Sequence, residues 1–388
     1  MRLGDVATGP SYRANNFDVL RLVAAGMVLV SHAFVLGGGV EPYVGNASWG
    51  ALGVQIFFAI SGFLVCRSWC LQPRIVSFAL KRGLRILPAL VATLLVCAYV
   101  LGPLVTTLSP TDYLSAGEPL RHVLHNLASI VTGGAAGGID YSLPGVFLDN
   151  PHGGSVNGSL WTLPIEIEAY LMIAALALAG ALTRLLPVVA VGAILVTLAH
   201  GLGIDLPLIG RLVDARPETF QLLATFAVGG LMWLWRDRVV LRLDLAVLAL
   251  VAWLLALDSA AQGPLAAVGL TYVVLFAAYR TPVALSTLSR HGDVSYGLYL
   301  LAFPVQQTIV HVAGADDLAP LMLIALSLPV TYALAFASWR LVEAPALRLK
   351  GPLSARLGVR RLAASIGAAV EAEAPPPRAV APAADPLA

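Results

Sequence analysis

Ten stretches of the chain run with few polar interruptions: 17–37, 49–66, 83–103, 160–183, 186–200, 218–235, 243–257, 262–279, 294–313 and 320–341. Each approaches the roughly 20 residues an α-helix needs to cross a bilayer, where backbone amides must be satisfied within the segment. The pattern predicts an all-α polytopic membrane protein, a bundle of about ten transmembrane helices. The longest break, 104–159, contains "PLRHVLHNLASIVTG" (119–133), which predicts a short helix at one membrane interface.

Composition agrees with this reading. The 388 residues are 58% hydrophobic and 12% charged, with a mean hydropathy of +0.82. Soluble domains carry about twice that share of charge. The first apolar run is too long for a cleaved leader and lacks a small-residue cleavage site, so it is expected to stay as the first span. With the N-terminus in the cytoplasm, twenty lysines and arginines fall on the inner side and three outside, Arg121, Arg211 and Arg216. The positive-inside rule then places both termini in the cytoplasm. Residues 1–350 are expected to form the membrane domain, and 351–388 a cytoplasmic, largely disordered Ala/Pro-rich tail.

Several function classes fall away. The basic residues sit at helix ends and form no patch, so nucleic acid is not an expected partner. The three cysteines, Cys66, Cys70 and Cys97, suggest buried inert thiols, with neither a disulfide framework nor a metal site. "GGAAGG" at 133–138 reads as a flexible loop without the lysine and spacing of a phosphate loop. The sequons "NAS" (46–48) and "NGS" (157–159) face outward in this topology, but motifs this short arise by chance.

The candidate chemistry lies within the spans. "FDVLRLVAAGMVLVSHAF" (17–34) carries Asp18, Arg21 and His32, each costly in hydrocarbon. Arg21 and His32 are about 16 Å apart along a helix and share a face, with Asp18 one turn before Arg21. Ser61, mid-span beside Gly62, reads alone as a close-packing position. Arg82 and Arg85, at i and i+3, suit a phosphate clamp but also an ordinary cytoplasmic anchor. In "GSLWTLPIEIEAYL", Glu166 and Glu168 point to different faces. Glu166 and His32 lie at similar expected depth, which predicts a His–carboxylate pair in which the acid orients the imidazole.

Taken together these stretches resemble the integral-membrane acyltransferase family 3, over roughly residues 15–350. The matching pieces are Arg21-x10-His32, "GVQIFFAISGFLV", Arg82-x-x-Arg85, "LWTLPIEIEAYL", "DVSYGLYLLAFPV" and "RLVEAP". The resemblance implies transfer of an acyl group, acetyl from acetyl-CoA, to a hydroxyl of a cell-envelope or exported carbohydrate, free or lipid-linked, in the bacterial inner membrane. It implies His32 as the essential histidine and Arg82 and Arg85 as the basic pair near the CoA entrance, to which depth and helix face add Glu166 beside His32 and Arg21 along the CoA path. Ser61 and Trp161 would contact substrate, and no metal is required. Many relatives have a histidine where this chain has Ala302, and His311 lies too far along to replace it. Relatives with a fused SGNH-type domain are not the expected close analogues, so acceptor recognition is expected in the membrane domain and its loops. The alternative reading is a proton-coupled transporter with His32 and Glu166 as relay; no inverted repeat supports it.

Overall fold

The computed structural model describes residues 1–8, 15–204, 206, 217–281, 292–314 and 318–356. The expected tail beyond Arg356, and Arg211, Arg216 and Arg290, lie outside these. A short helix α1 (Leu3–Thr8) precedes α2 (Phe17–Leu36), a two-stranded hairpin (Tyr43–Val44 with Ala47–Ser48) and α3 (Trp49–Leu71). α4 runs from Ile75 to Val105, and α5 (Pro110–Ser115) and α6 (Glu118–Val131) follow within the long connection. Then come α7 (Thr162–Leu178), α8 (Leu182–Gly201), α9 (Pro217–Leu234) and α10 (Leu243–Leu255). The last three long helices are α11 (Gln262–Arg280), α12 (Ser295–Ala313) and α13 (from Pro320).

All ten predicted spans are helices, and the protein is a multi-pass membrane protein. Seven are long and apolar enough to cross a bilayer by themselves. α9 and α10 are apolar but shorter, and α12 is diluted by Gln306 and Gln307, both fully buried. Their amide N–H groups find partners inside the bundle, while Gln306 Oε1 is buried without one. Gln306 Nε2 donates to the Leu29 carbonyl at 2.9 Å, and Gln307 Nε2 to the Ser155 carbonyl at 2.7 Å. A polar side chain in the bilayer is tolerated where protein supplies its partners.

Small residues bring the central helices together. A Cβ on Gly53 of α3 would stand 2.6 Å from the Ala24 carbonyl of α2, and one on Gly62 would fall 1.9 Å from the Phe226 carbonyl of α9. The hairpin and α1 were not legible as apolar runs. Ser48 caps α3, its hydroxyl accepting the Ala51 N–H at 3.1 Å. α1 is tied down by Leu3 N–H to the Val239 carbonyl at 2.8 Å and Gly4 N–H to that of Arg236 at 2.9 Å.

The long connection is ordered against the bundle. Pro304 in α12 has no N–H for the Leu300 carbonyl, and Asn157 Nδ2 takes that acceptor at 2.9 Å. Asn150 Nδ2 bonds the Gln307 side chain at 2.8 Å. On α6, His122 Nδ1 meets the Ser142 carbonyl at 2.9 Å and Asn126 Nδ2 donates to that of Asp140 at 2.8 Å. The glycine stretch at 133–138 is a built turn, with Gly133, Gly134 and Gly137 at positive φ and Gly133 packed on Glu168.

Candidate active site

Two cavities enter the bundle and share Val54 and Tyr299 as wall residues. The inner one, about 90 Å³, collects Arg21, Ser61, Arg82, Arg85, Glu166 and Tyr170 from four helices. The outer one, about 700 Å³, holds His32 and Trp161 among polar side chains. Because Arg21 and His32 sit about three turns apart on one face of α2, that helix carries one cavity's charge and the other's imidazole.

The inner cavity is an ion network with one guanidinium left over. Arg85 Nη2 lies 2.6 Å from Asp293 Oδ2, and its Nη1 lies 3.6 Å from Glu343 Oε2. Arg21 Nη1 lies 3.3 Å from Asp18 and 3.5 Å from Asp293. Arg82 forms no ion pair among the described residues, and its Nε is buried without a hydrogen-bond partner. Its guanidinium stands 5.7 Å from the centre of the Tyr170 ring, a cation–π distance. The two arginines expected to clamp phosphate thus differ: Arg85 is engaged by carboxylates, and Arg82 is free to meet an anion.

Glu166 belongs to this inner cavity and does not pair with His32, contrary to the expected dyad. Its carboxylate accepts the Ser61 hydroxyl at 3.3 Å and the Tyr170 hydroxyl, and those two hydroxyls lie 3.1 Å apart. Tyr170 is one turn along α7 on the same face, so the helix itself supplies the partner. The depth comparison failed because Glu166 shares a wall with Arg21, three turns below His32. Ser61 joins the same cluster, whereas Trp161 lines the outer cavity.

His32 stacks edge-on against Phe303, ring centres 5.1 Å apart, and its Nδ1 is buried without a hydrogen-bond partner. Phe303 is fixed from behind, since a Cβ on Gly158 would stand 2.6 Å from its ring. Tyr299, at the junction, accepts from the Thr162 hydroxyl at 2.6 Å and donates to the Ser159 carbonyl at 2.8 Å. Ala302 is fully buried, and His311 stacks on Phe147 and lines neither cavity.

Asp293, Glu343, Tyr170 and Tyr299 were not singled out from sequence. Asp293 and Glu343 were present in "DVSYGLYLLAFPV" and "RLVEAP", and a carboxylate bordering an apolar run was the available signal. Glu343 is 2% exposed and ends a π-helical turn, Trp339–Glu343, a distortion frequent at functional sites.

Other expectations resolve individually. Cys66 and Cys97 are buried and Cys70 is exposed; all three are free thiols. Among the described residues no group of histidine, cysteine or carboxylate side chains could hold a metal ion. Asn157 of the second sequon is 3% exposed with its amide engaged, so it presents no acceptor, whereas Asn46 is exposed at the hairpin.

Comparison with known proteins identifies the family. The O-acetyl transferase of Shigella phage Sf6 is 30% identical over 353 residues, covering 88% of this chain and 98% of the relative. Nodulation protein 10 of Rhizobium leguminosarum bv. viciae is 32% identical over 371 residues, covering 88% and 95%. No solved structure gives a significant match. An acyltransferase-domain family model matches residues 15–340, taking in both cavities, and the chain belongs to that acyltransferase family.

Proposed function

We propose that this acyltransferase moves an acetyl group from cytoplasmic acetyl-CoA, through the bundle, to a hydroxyl of a carbohydrate in the outer cavity. The observation that carries the reading is the pair of cavities meeting at Val54 and Tyr299, with an unpaired arginine in one and an imidazole in the other. The printed name of the phage relative supports O-acetyl transfer. The basic-residue bias places the arginine end in the cytoplasm, where CoA is found.

Arg82 would receive a CoA phosphate, since a guanidinium beside an aromatic face can exchange that contact for an anion. Arg21 and Arg85 hold Asp18, Asp293 and Glu343, which leaves Arg82 as the guanidinium open to the donor's anionic groups. Glu166 fixes Tyr170, and Tyr170 underlies Arg82; it acts as a positioning residue. The inner cavity is smaller than a pantetheine arm, so Arg82 and its neighbours must shift to admit one.

At the junction the thioester carbonyl reaches His32. The neutral imidazole takes the proton of the acceptor hydroxyl as its oxygen attacks that carbon. The carbon–sulfur bond breaks, the thiolate leaves through the arginine end, and the proton held by His32 neutralises it on release. Direct attack needs one crossing of the bundle and no acyl-enzyme. Trp161 offers an aromatic face to the sugar. The acceptor belongs to an envelope or exported glycan at the bacterial inner membrane.

The test is purified protein in detergent with radiolabelled acetyl-CoA and crude envelope glycans. Label in the glycan fraction supports the reading. Counterflow of a small solute in proteoliposomes, without acetyl-CoA consumption, would move the protein to the transporter class.

A further inference from the structure

The outer cavity presents hydrogen-bond acceptors to whatever enters it. The Glu41 carboxylate takes the Ser31 hydroxyl, immediately before His32, and the Ser31 oxygen accepts the Gly50 N–H at 2.9 Å. A Cβ at position 50 would stand 2.8 Å from that hydroxyl and 3.5 Å from Glu41 Oε1, so glycine there leaves the carboxylate its place beside the imidazole helix. Glu218 adds a second, exposed carboxylate to the wall. Gln221 uses its amide N–H groups on the Gly263 carbonyl at 2.8 Å and Gln55 Oε1 at 3.4 Å, which leaves its own Oε1 buried and without a partner. His32 Nδ1 is in the same condition. Among the described residues lining the cavity there is no lysine or arginine.

We propose that this cavity selects a neutral or amino-bearing sugar as acceptor and turns away sugars that carry a carboxylate, such as uronic acids. The proposal rests on the carbohydrate reading above and narrows it. An anionic sugar entering a cavity within the bundle would lose hydration, and no described cation in the wall offsets that loss. It would also meet the half-buried Glu41, where like charges repel more strongly than in bulk water, with the exposed Glu218 adding a weaker, solvent-screened repulsion. A hydroxyl, acetamido N–H or ammonium instead brings donors to a wall that carries carboxylates, and such a wall discriminates against ligands that cannot donate. The same donors suit Glu41. Transfer needs the sugar hydroxyl as a donor to His32, so the cavity's polarity and its chemistry make the same demand.

The test uses the full chain in detergent, titrated with a neutral oligosaccharide and its C6-oxidised uronic counterpart, with binding read by calorimetry. Label transfer from acetyl-CoA to each sugar is measured in parallel. The neutral sugar is expected to bind at least about tenfold more tightly. Glu218→Gln, an exposed and structurally mild change, should narrow that ratio, and Glu41→Gln should narrow it further. Equal or tighter binding of the uronic sugar by the wild type overturns the proposal, and so does binding of neither. Discrimination in binding without transfer to either sugar would support the proposal and count against the acyl-transfer reading of the cavity.

Discussion

Arg85 reaches Asp293 across 208 residues of sequence, Nη2 to Oδ2 at 2.6 Å, and its other terminal nitrogen lies 3.6 Å from the nearly inaccessible Glu343. This arginine ties α4 to the start of α12 and to the π-helical turn Trp339–Glu343, so it is a structural cation before it is a ligand contact. Arg85→Ala leaves buried Glu343 without its guanidinium and Asp293 with Arg21 alone, and removal of one partner from a buried pair costs about 3–5 kcal/mol. The expected outcome is a clear loss of thermal stability in detergent. Arg82→Ala breaks no ion pair and should leave the melting temperature within a few degrees of the wild type while raising the apparent KM for acetyl-CoA.

Glu166 separates two accounts of the site. If it oriented His32, Glu166→Gln would lower kcat. Held as it is by Ser61 and Tyr170, it acts on Arg82 through the Tyr170 ring. Glu166→Gln is therefore expected to raise KM for the donor several-fold with a smaller change in kcat, and steady-state kinetics on purified protein checks it.

Pro304 and Asn157 form a second testable pair. Pro304→Ala returns an N–H to α12, which can bond the Leu300 carbonyl and displace Asn157 Nδ2. The loop over residues 150–157 should then exchange its amide hydrogens faster, although the helix has gained a bond. Asn157→Leu should loosen the same loop and destabilise by about 1–3 kcal/mol, the cost of an unmet buried polar group.

The ordered connection carries a pH dependence of its own. Burial lowers the pKa of the His122 imidazole below its usual 6.5, outweighing the nearby Asp140. A histidine whose folded value is depressed binds its proton more readily when its surroundings open. Stability is therefore complete above about pH 6.5 and falls on acidification through that value. Protection factors at residues 137–142, taken against the intrinsic exchange rate at each pH, should fall between pH 7.5 and 5.5, and His122→Gln should remove most of that fall.

Much of the bundle was legible because the bilayer enforces long apolar runs, so the ten helices followed from hydropathy. α1 escaped because six residues held by backbone bonds to 236–241 leave no periodic trace. Gln306 and Gln307 made α12 look more polar than its neighbours, for partners that only tertiary structure reveals. At the site, the shared face of Arg21 and His32 followed from helix geometry. The placement of Glu166 did not, since depth counted along separate runs ignores which neighbour each side chain meets, and Tyr170 one turn away was nearer than any histidine. The different fates of Arg82 and Arg85 depended on Asp293 and Glu343, far away in sequence.

The most direct test of the two-cavity account compares His32→Ala and Arg82→Ala with wild type in acetyl transfer from labelled acetyl-CoA to envelope glycans. Loss of a general base removes about 10²–10⁴ of rate. His32→Ala is thus expected to bind acetyl-CoA normally and lose transfer at every donor concentration, while Arg82→Ala recovers transfer as acetyl-CoA is raised. If His32→Ala is rescued by donor, or if it transfers at the wild-type rate, the imidazole is not the base of the outer cavity and the account is wrong.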